Sequence, residues 1–474
     1  MSRTSHLQHP AWRHGASTLA LLAAIGGVAL APRPADALPS FAAQTGQPCT
    51  ACHVGGFGPQ LTQFGREFKI AGYTQQGGDG LASRIPLSAM VLGSYTATKQ
   101  DLPAGSQPQH YNVNNNAALD QISLFLAGRI SDNAGGFVQG TYSDINNSFH
   151  LDQVDLRPYT GLYDVDGNDL RVGVTITNVP TVQDPFNSTF AWGFPYVTSS
   201  LAPTPAAQPI LVSGFVGNAI GLSAYAWYDH RIYIEGGGYQ SMSPYLQDRL
   251  GTTYGVGRTQ GVAPYLRAAY VWDMGDMSAH VGALYMQAGA FPVTTPRGSD
   301  ASMGANSYQD VAVDAGYQFL GDGTNTVAVE GIYVNEQQTL TSSAASYNAA
   351  NGTSQGANYG LNTLRASASY WYLNTYGASV AWQKSWGTTN PILYSAAPIS
   401  GSANSRPDSN AFLLEADWVP FGKDDSWANP FVNLKLGVQY TIYTQFNGGS
   451  RNYDGYGRSA SGNNTLYAFA WMAF

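Results

Sequence analysis

Charge is what this chain of 474 residues has least of: Asp, Glu, Lys and Arg make up 11% of it, and Lys plus Arg number only 22. An average soluble domain carries about 25% charged residues, so the surface is not expected to face water throughout. The balance is acidic, with a formal net charge of −8. So few cations offer no footprint for a phosphate backbone, which excludes nucleic acid as a partner. Cysteine is nearly missing too, with two in the chain, so no disulfide framework holds the fold. After residue 37 no segment reaches the roughly 18 unbroken apolar residues of a membrane helix. That excludes a bundle of spanning helices.

The first 37 residues read as an export signal. Arg3 and Arg13 precede an uncharged apolar stretch from Ala16 to Ala31, and Ala35-Asp36-Ala37 supplies a small-residue cleavage site. Segments 38–83 and 84–474 then differ in pattern.

From residue 84 onward the chain alternates with period two, the signature of strands. The clearest case is 433–443, where Leu434, Leu436, Val438, Tyr440 and Ile442 alternate with Asn433, Lys435, Gly437, Gln439 and Thr441. Ile122, Leu124 and Leu126 alternate with Gln121 and Ser123, and Phe412, Leu414, Ala416 and Trp418 alternate with Glu415 and Asp417. A soluble sandwich would bury the apolar face, whereas a membrane barrel turns it to lipid. Periodicity is silent between the two.

Spacing is more telling. Strands are expected near 86–98, 118–131, 135–144, 149–163, 169–177, 217–229, 231–240, 263–273, 276–288, 308–318, 325–335, 360–372, 375–385, 411–420, 430–443 and 464–474. Tight turns, such as Asp164 to Asp169, Asp229-His230 and Asn374, alternate with long polar loops. An even strand number with short turns at one end and long loops at the other predicts an all-β protein, a 16-stranded antiparallel outer-membrane barrel over 84–474. The last strand, ending in Tyr467, Phe469, Trp471 and Phe474, is apolar on both faces. Its alternation says nothing about which face turns inward.

The two cysteines fall in Cys49-Thr50-Ala51-Cys52-His53. Two thiols three residues apart reach the two vinyl groups of a haem, and the following imidazole meets its iron, so one covalently bound haem c is expected on Cys49, Cys52 and His53. A redox dithiol would want a βαβ surround, and a zinc site would need further ligands without a second Cys pair. Pro59 to Ala71 reads as a helix, with Leu61, Phe64 and Phe68 on one face and Gly72 past its end. Arg66 and Lys69 on another face are candidate partners for haem propionates. Segment 38–83 is near the length below which a chain cannot enclose its own core, so it is expected to plug the barrel lumen. No Met and no other His lies between residue 38 and Met90. The second axial ligand is therefore sought among His110, His150, His230, His280, Met90, Met274, Met277, Met286, Lys69, Tyr73, the mature amino terminus and water, or the position is open.

These residues resemble the fused outer-membrane cytochrome–porins, whose best-known members are the iron oxidases of iron-oxidising bacteria. The resemblance covers nearly the whole chain. It is carried by Leu38 to Ala42, Gln44-Thr45-Gly46, the haem motif, Pro59, Leu61-Thr62, Gly65-Arg66, Phe68-Lys69 and Gly72-Tyr73, and in the barrel by Pro180 to Pro185 and Ala191 to Pro195. It implies haem attachment at Cys49, Cys52 and His53, an outer-membrane location with the N-terminus periplasmic, and electron transfer across that membrane. The span from His53 to Pro59 is longer than in those iron oxidases, which leaves the electron donor open.

Three functions are weighed. The leading one carries electrons between an extracellular donor, with Fe(II) as the first candidate, and a periplasmic carrier such as a soluble cytochrome. The alternative is a diffusion porin whose haem is structural or sensory. A haem enzyme acting on a small substrate is the third, and segment 38–83 offers it no distal acid–base pair. Asp101, Asp248, Asp300 and Asp454 are hard oxygen ligands expected in outer loops, where divalent iron would meet them. Loop 178–216, too long for an idle connection and carrying Trp192 and Phe194, is expected to fold into or over the lumen.

Overall fold

The computed structural model describes residues 40–189, 197–252, 257–295, 298–299, 301–423, 426–428 and 431–474. The expected signal peptide, Trp192, Phe194 and Asp300 lie outside them.

Alternating residues give strands, and the strands close on themselves. In chain order they are β1 Leu87–Thr98, β2 Asn116–Ser131, β3 Ala134–Ser143, β4 Ser148–Val165, β5 Asn168–Thr177, β6 Ala219–Tyr228, β7 Ile232–Ser241, β8 Ala263–Asp273, β9 Met277–Ala290, a two-stranded loop hairpin of β10 Val293–Thr295 and β11 Gly298–Ser299, then β12 Asn306–Phe319, β13 Asn325–Thr339, β14 Asn358–Tyr372, β15 Tyr376–Gly387, β16 Ser409–Trp418, β17 Asn433–Gln445 and β18 Thr465–Ala473. Leaving out the hairpin, sixteen antiparallel strands form a closed barrel. The seam joins the first strand to the last, with Met90 opposite Ala473 and Leu92 opposite Trp471. All sixteen expected strands are found; the largest difference is the strand expected at 325–335, which runs on to Thr339.

The barrel is inside out relative to a soluble protein. Along β17 the polar residues Asn433, Lys435, Gln439 and Thr441 are buried, while Leu436, Val438 and Tyr440 are exposed, Val438 at 52%. Leu124 and Leu126 on β2 and Phe412 and Leu414 on β16 are exposed likewise. Glu235, Arg267, Asp310, Glu336, Glu415 and Lys435 face the lumen, all buried. Closure leaves no unpaired sheet edge, and an apolar outer belt needs lipid rather than water. No helix among the described residues is long and apolar enough to cross a membrane; the crossing elements here are strands.

Most turns at one end are tight, the 419–432 connection being longer, and they are built from residues that tolerate a left-handed backbone: Asp166 (φ 54°) before Gly167, Asp229 and His230 (50° and 53°), and Leu373 and Asn374 (53° and 45°). Asp-Gly and Asn turns of this kind match the twist of paired strands. Most connections at the other end are long, and one carries the helix Thr341–Asn351.

Residues 40–84 occupy the lumen at the tight-turn end. They form three helices, α1 Ser40–Thr45, α2 Cys49–Cys52 and α3 Gln63–Ile70. Their small core is Phe41 stacked on Tyr73 at 5.0 Å, with Phe68 edge-on to both. This core is too small to stand alone, and the barrel wall completes it. Tyr73 Oη donates to Asp155 on β4 (2.6 Å), Gln60 to Glu330 on β13 (3.0 Å), Tyr225 on β6 to the carbonyl of Ile70 (2.6 Å), and Asn433 on β17 to the carbonyl of Gly56 (2.6 Å). The segment is a plug, as its length led one to expect.

The helix expected over Pro59–Ala71 is shorter. Val54 N–H donates to the Gln60 carbonyl (3.0 Å) and His53 pairs with Leu61, which holds 59–61 extended. The helix starts only at Gln63, where the Thr62 hydroxyl accepts from Gly65 N–H.

Loop 178–216 folds inward over much of its described length. Its helix α4, Pro180–Gln183, is buried, Asn187 donates to the Pro59 carbonyl of the plug, and the N–H groups of Ile210 and Leu211 donate to Glu336 (2.6 Å) and Asp310 (2.7 Å) on the wall.

One contact between plug and barrel responds to pH. His230, in the β6–β7 turn, lies with Nδ1 2.9 Å from Glu67 Oε1 on α3 and Nε2 3.3 Å from Asp169 Oδ2 on β5. Partial burial works against protonation, but the two carboxylates outweigh it and raise the imidazole above its ordinary 6.5. A raised pKa in the folded state adds stability that is complete below 6.5 and disappears as pH climbs through the raised value. Docking of the plug helix should therefore weaken as pH rises through that window, and His230→Gln should flatten the dependence. Limited proteolysis of the plug as a function of pH measures it; an unchanged profile in His230→Gln would remove His230 from this role.

Candidate functional site

Two thiols one helical turn apart project to the same side, and here that side is a cavity. α2 is a single turn, closed by His53 N–H donating to the Cys49 carbonyl (2.9 Å). It is held from below by α3: a Cβ at Gly65 would overlap the Cys52 carbonyl, so only glycine allows this approach. From the other side Thr50 N–H donates to the Gly422 carbonyl (3.1 Å) in the β16–β17 connection.

Cys49, Cys52 and His53 all line one cavity of about 280 Å³. Its remaining wall is largely apolar: Phe41, Phe57 and Pro59 from the plug, and Met90, Phe125, Phe137 and Trp471 from β1, β2, β3 and β18. Phe57 meets Trp471 edge-on at 5.0 Å. These strands are neighbours around the barrel seam, and their lining residues sit at the tight-turn end. At this volume the cavity lies near the lower end for small-molecule sites.

The donor set fits a covalently attached haem. His53 Nδ1 is buried with no hydrogen-bond partner, and burial lowers the imidazole to about 4 against a backbone contact at Gly58, so the ring is neutral and available as a ligand. Part of its surface still faces the cavity. Burial raises the thiols, Cys49 to about 11 despite a contact from Asn433, and Cys52 to about 12 with Cys49 adding to it. Both are free of any disulfide. Thiols held this far from ionisation are poor redox nucleophiles, which speaks against a dithiol oxidoreductase. Among the described residues no group of three or more His, Cys, Asp or Glu is placed to hold a metal ion.

Other expected site residues lie elsewhere. Arg66 and Lys69 do not line the cavity. Arg66 donates to Ser278 (3.1 Å) and to Gln318 and the Leu61 carbonyl (3.3 Å each), and Lys69 donates to the Val182 carbonyl and pairs with Asp155 at 3.6 Å. Both bind the plug to the wall and to loop 178–216. Helical periodicity put them on a separate face but could not say what that face met. Asp101 accepts from Asn114 (2.8 Å), and Asp454, buried, accepts from the N–H groups of Ile399, Tyr456 and Arg458. Both carboxylates organise loops. What the sequence missed is the barrel half of the cavity, above all Trp471 and Phe137, which give no local signal.

No family model matches the chain. No curated protein matches it either. Among solved structures it resembles the outer membrane channel DcaP of Acinetobacter baumannii (12% identity, TM-score 0.44, covering 82% of this chain and 96% of that one). It also resembles an anion-selective porin from Comamonas acidovorans (12%, 0.41, 82% and 98%) and in-vitro folded OmpT of Vibrio cholerae (9%, 0.41, 82% and 96%).

Proposed function

We propose that this chain is an outer-membrane c-type cytochrome, with a haem on Cys49, Cys52 and His53, that passes electrons between an extracellular donor and a periplasmic carrier. The observation that carries the reading is the meeting of both thiols and the imidazole in one cavity inside a lipid-facing barrel. A bound haem c would supply a one-electron iron couple there. The protein's own part is to fix the two thiols on one turn, hold His53 neutral, and exclude water with Phe41, Phe57, Phe125, Phe137 and Trp471. Short turns mark the periplasmic end of such barrels, so the cavity faces the side where a soluble cytochrome would dock. Lipid is the partner of the outer belt.

A donor at the long-loop end stands across much of an apolar band about 25 Å tall. An electron from Fe(II) therefore requires that the donor, or a relay, enter the lumen. The alternative is a diffusion porin with a structural or sensory haem, in which the plug and loop 178–216, both bound to the barrel wall, would narrow the lumen.

Expressed with a c-haem maturation system, the wild type should keep its haem on a denaturing gel, and Cys49→Ala or Cys52→Ala should weaken that attachment. Haem fully extracted from the wild type by acid acetone would overturn the assignment. Rapid mixing of the ferric protein with Fe(II) and with organic or protein donors then separates the donors: reduction by the others but never by Fe(II) removes iron and leaves the conduit.

A further inference from the structure

An iron held by one imidazole at the plug has an open side, and the barrel wall supplies one soft donor to the same cavity. We propose that the thioether of Met90 is the second axial ligand of the haem iron held by His53. The proposal rests on the haem reading above.

Three observations place it. Met90 lies on β1 with its side chain turned inward, 9% exposed, and lines the cavity together with Cys49, Cys52 and His53. The other expected side-chain ligands are elsewhere or engaged. His280 is bound to Asp314 at 3.2 Å and packed on Phe186, and His230 lies between Glu67 and Asp169. Met286 is in a separate apolar core with Tyr265 and Leu284. Met274 and Met277 are exposed, as is His110, and none of these residues, nor His150, lines the cavity. Lys69 and Tyr73 are tied to Asp155.

The third observation is the chemistry of the wall. Apart from Met90 it offers Ser40 and Ser88 hydroxyls and the amides of Gln47, Gln139 and Asn433. Asn433 donates to the Gly56 carbonyl and accepts from Leu434 N–H. Gln139 is the nearest rival: its nitrogen donates to Ser123 and Thr141, while its buried oxygen has no partner. A neutral amide oxygen is a hard ligand, suited to harder ions, whereas a thioether is soft and polarisable and suits the ferrous state of haem iron. A Met and His pair also raises the potential of a haem, which favours accepting electrons. The bland role for Met90 is packing, since it also touches the apolar cluster of Phe57, Leu92 and Trp471.

Only ligation makes Met90 visible in a spectrum. The full chain, matured with haem and purified in detergent, is compared with Met90→Leu, which keeps the apolar volume, with Met90→His, and with Gln139→Leu. Covalent haem on denaturing gels is scored first, then absorption and electron paramagnetic resonance of the ferric protein, then midpoint potential. The wild type should be low-spin with a thioether-to-iron charge-transfer band. Met90→Leu should keep its covalent haem and lose that band, becoming high-spin; Met90→His should stay low-spin at a lower potential, which also serves if Met90→Leu fails to fold. Gln139→Leu should leave the spectrum unchanged. An attached haem whose spectrum is the same in wild type and Met90→Leu, a wild type without the thioether band, or a spectrum lost in Gln139→Leu alone would overturn the ligand while leaving the haem in place. A wild type that carries no haem would overturn the reading beneath it.

Discussion

Val438→Arg should cost about 2–4 kcal/mol of folded stability in detergent or bilayer, the range for a cation on the lipid face near the middle of a membrane strand. Val438 lies at the centre of β17, 52% exposed, with Ala416 and Ala468 as its outward neighbours across the two ladders. In a soluble protein an exposed strand residue accepts Arg with little change, usually within about 0.5 kcal/mol. The outcome therefore separates the two environments without any assumption about function. Electrophoresis before and after heating reports the folded fraction, and a denaturant titration gives the magnitude. A variant as stable as wild type, recovered in the soluble periplasmic fraction, would refute lipid contact.

The second large effect is expected at Arg267. This guanidinium, 1% exposed on β8, is bidentate to Asp314 on β12 at 2.5 and 2.9 Å and reaches Asp184 in the inward loop at 3.1 Å. It also lies over the Phe186 ring at 5.0 Å. It is the bolt between loop 178–216 and the wall. Arg267→Met leaves two buried carboxylates without their cation, a loss of about 3–5 kcal/mol when one partner of a buried pair is removed. Adding Asp184→Asn should restore part of it, since the neutral amide no longer needs the charge, while Asp314 keeps His280 at 3.2 Å. Denaturant unfolding of the single and double variants tests this, with proteolysis of the loop as a local readout. A single variant indistinguishable from wild type would mean that the other contacts of loop 178–216, among them those to Asp310, Glu336, Lys69 and Pro59, hold it without the Arg267 pair.

Strand positions were legible because period two is a property of the backbone itself: Leu434 to Ile442 must share one face whatever they pack against. Turns were legible for a similar reason, since residues such as Asp166 with Gly167 take left-handed geometry cheaply. The Cys49-Thr50-Ala51-Cys52-His53 motif was legible because its thiols and imidazole are adjacent in one turn. Helix ends were less so: Pro59 is a good first-turn residue, but the His53–Leu61 pairing claims that stretch before the helix begins.

Alternation alone does not say which face looks inward, because the pattern is the same from either side of the sheet. Closure of the barrel and the polar plug within it decided that Lys435 and Glu415 are paired at 2.8 Å in the interior and that Val438 is outside. On β18, apolar on both faces, the plug again decided: Tyr467, Phe469 and Trp471 turn in toward it, and Leu466 and Ala470 turn out. Arg66 and Lys69, expected from the sequence as propionate partners, are buried against the lumen wall, which offers them partners of its own. The cavity around Cys49, Cys52 and His53 is decided entirely in three dimensions. Its wall brings Met90, Phe137 and Trp471 together from opposite ends of the chain, and what joins them is the hydrogen-bonded seam between the first strand and the last.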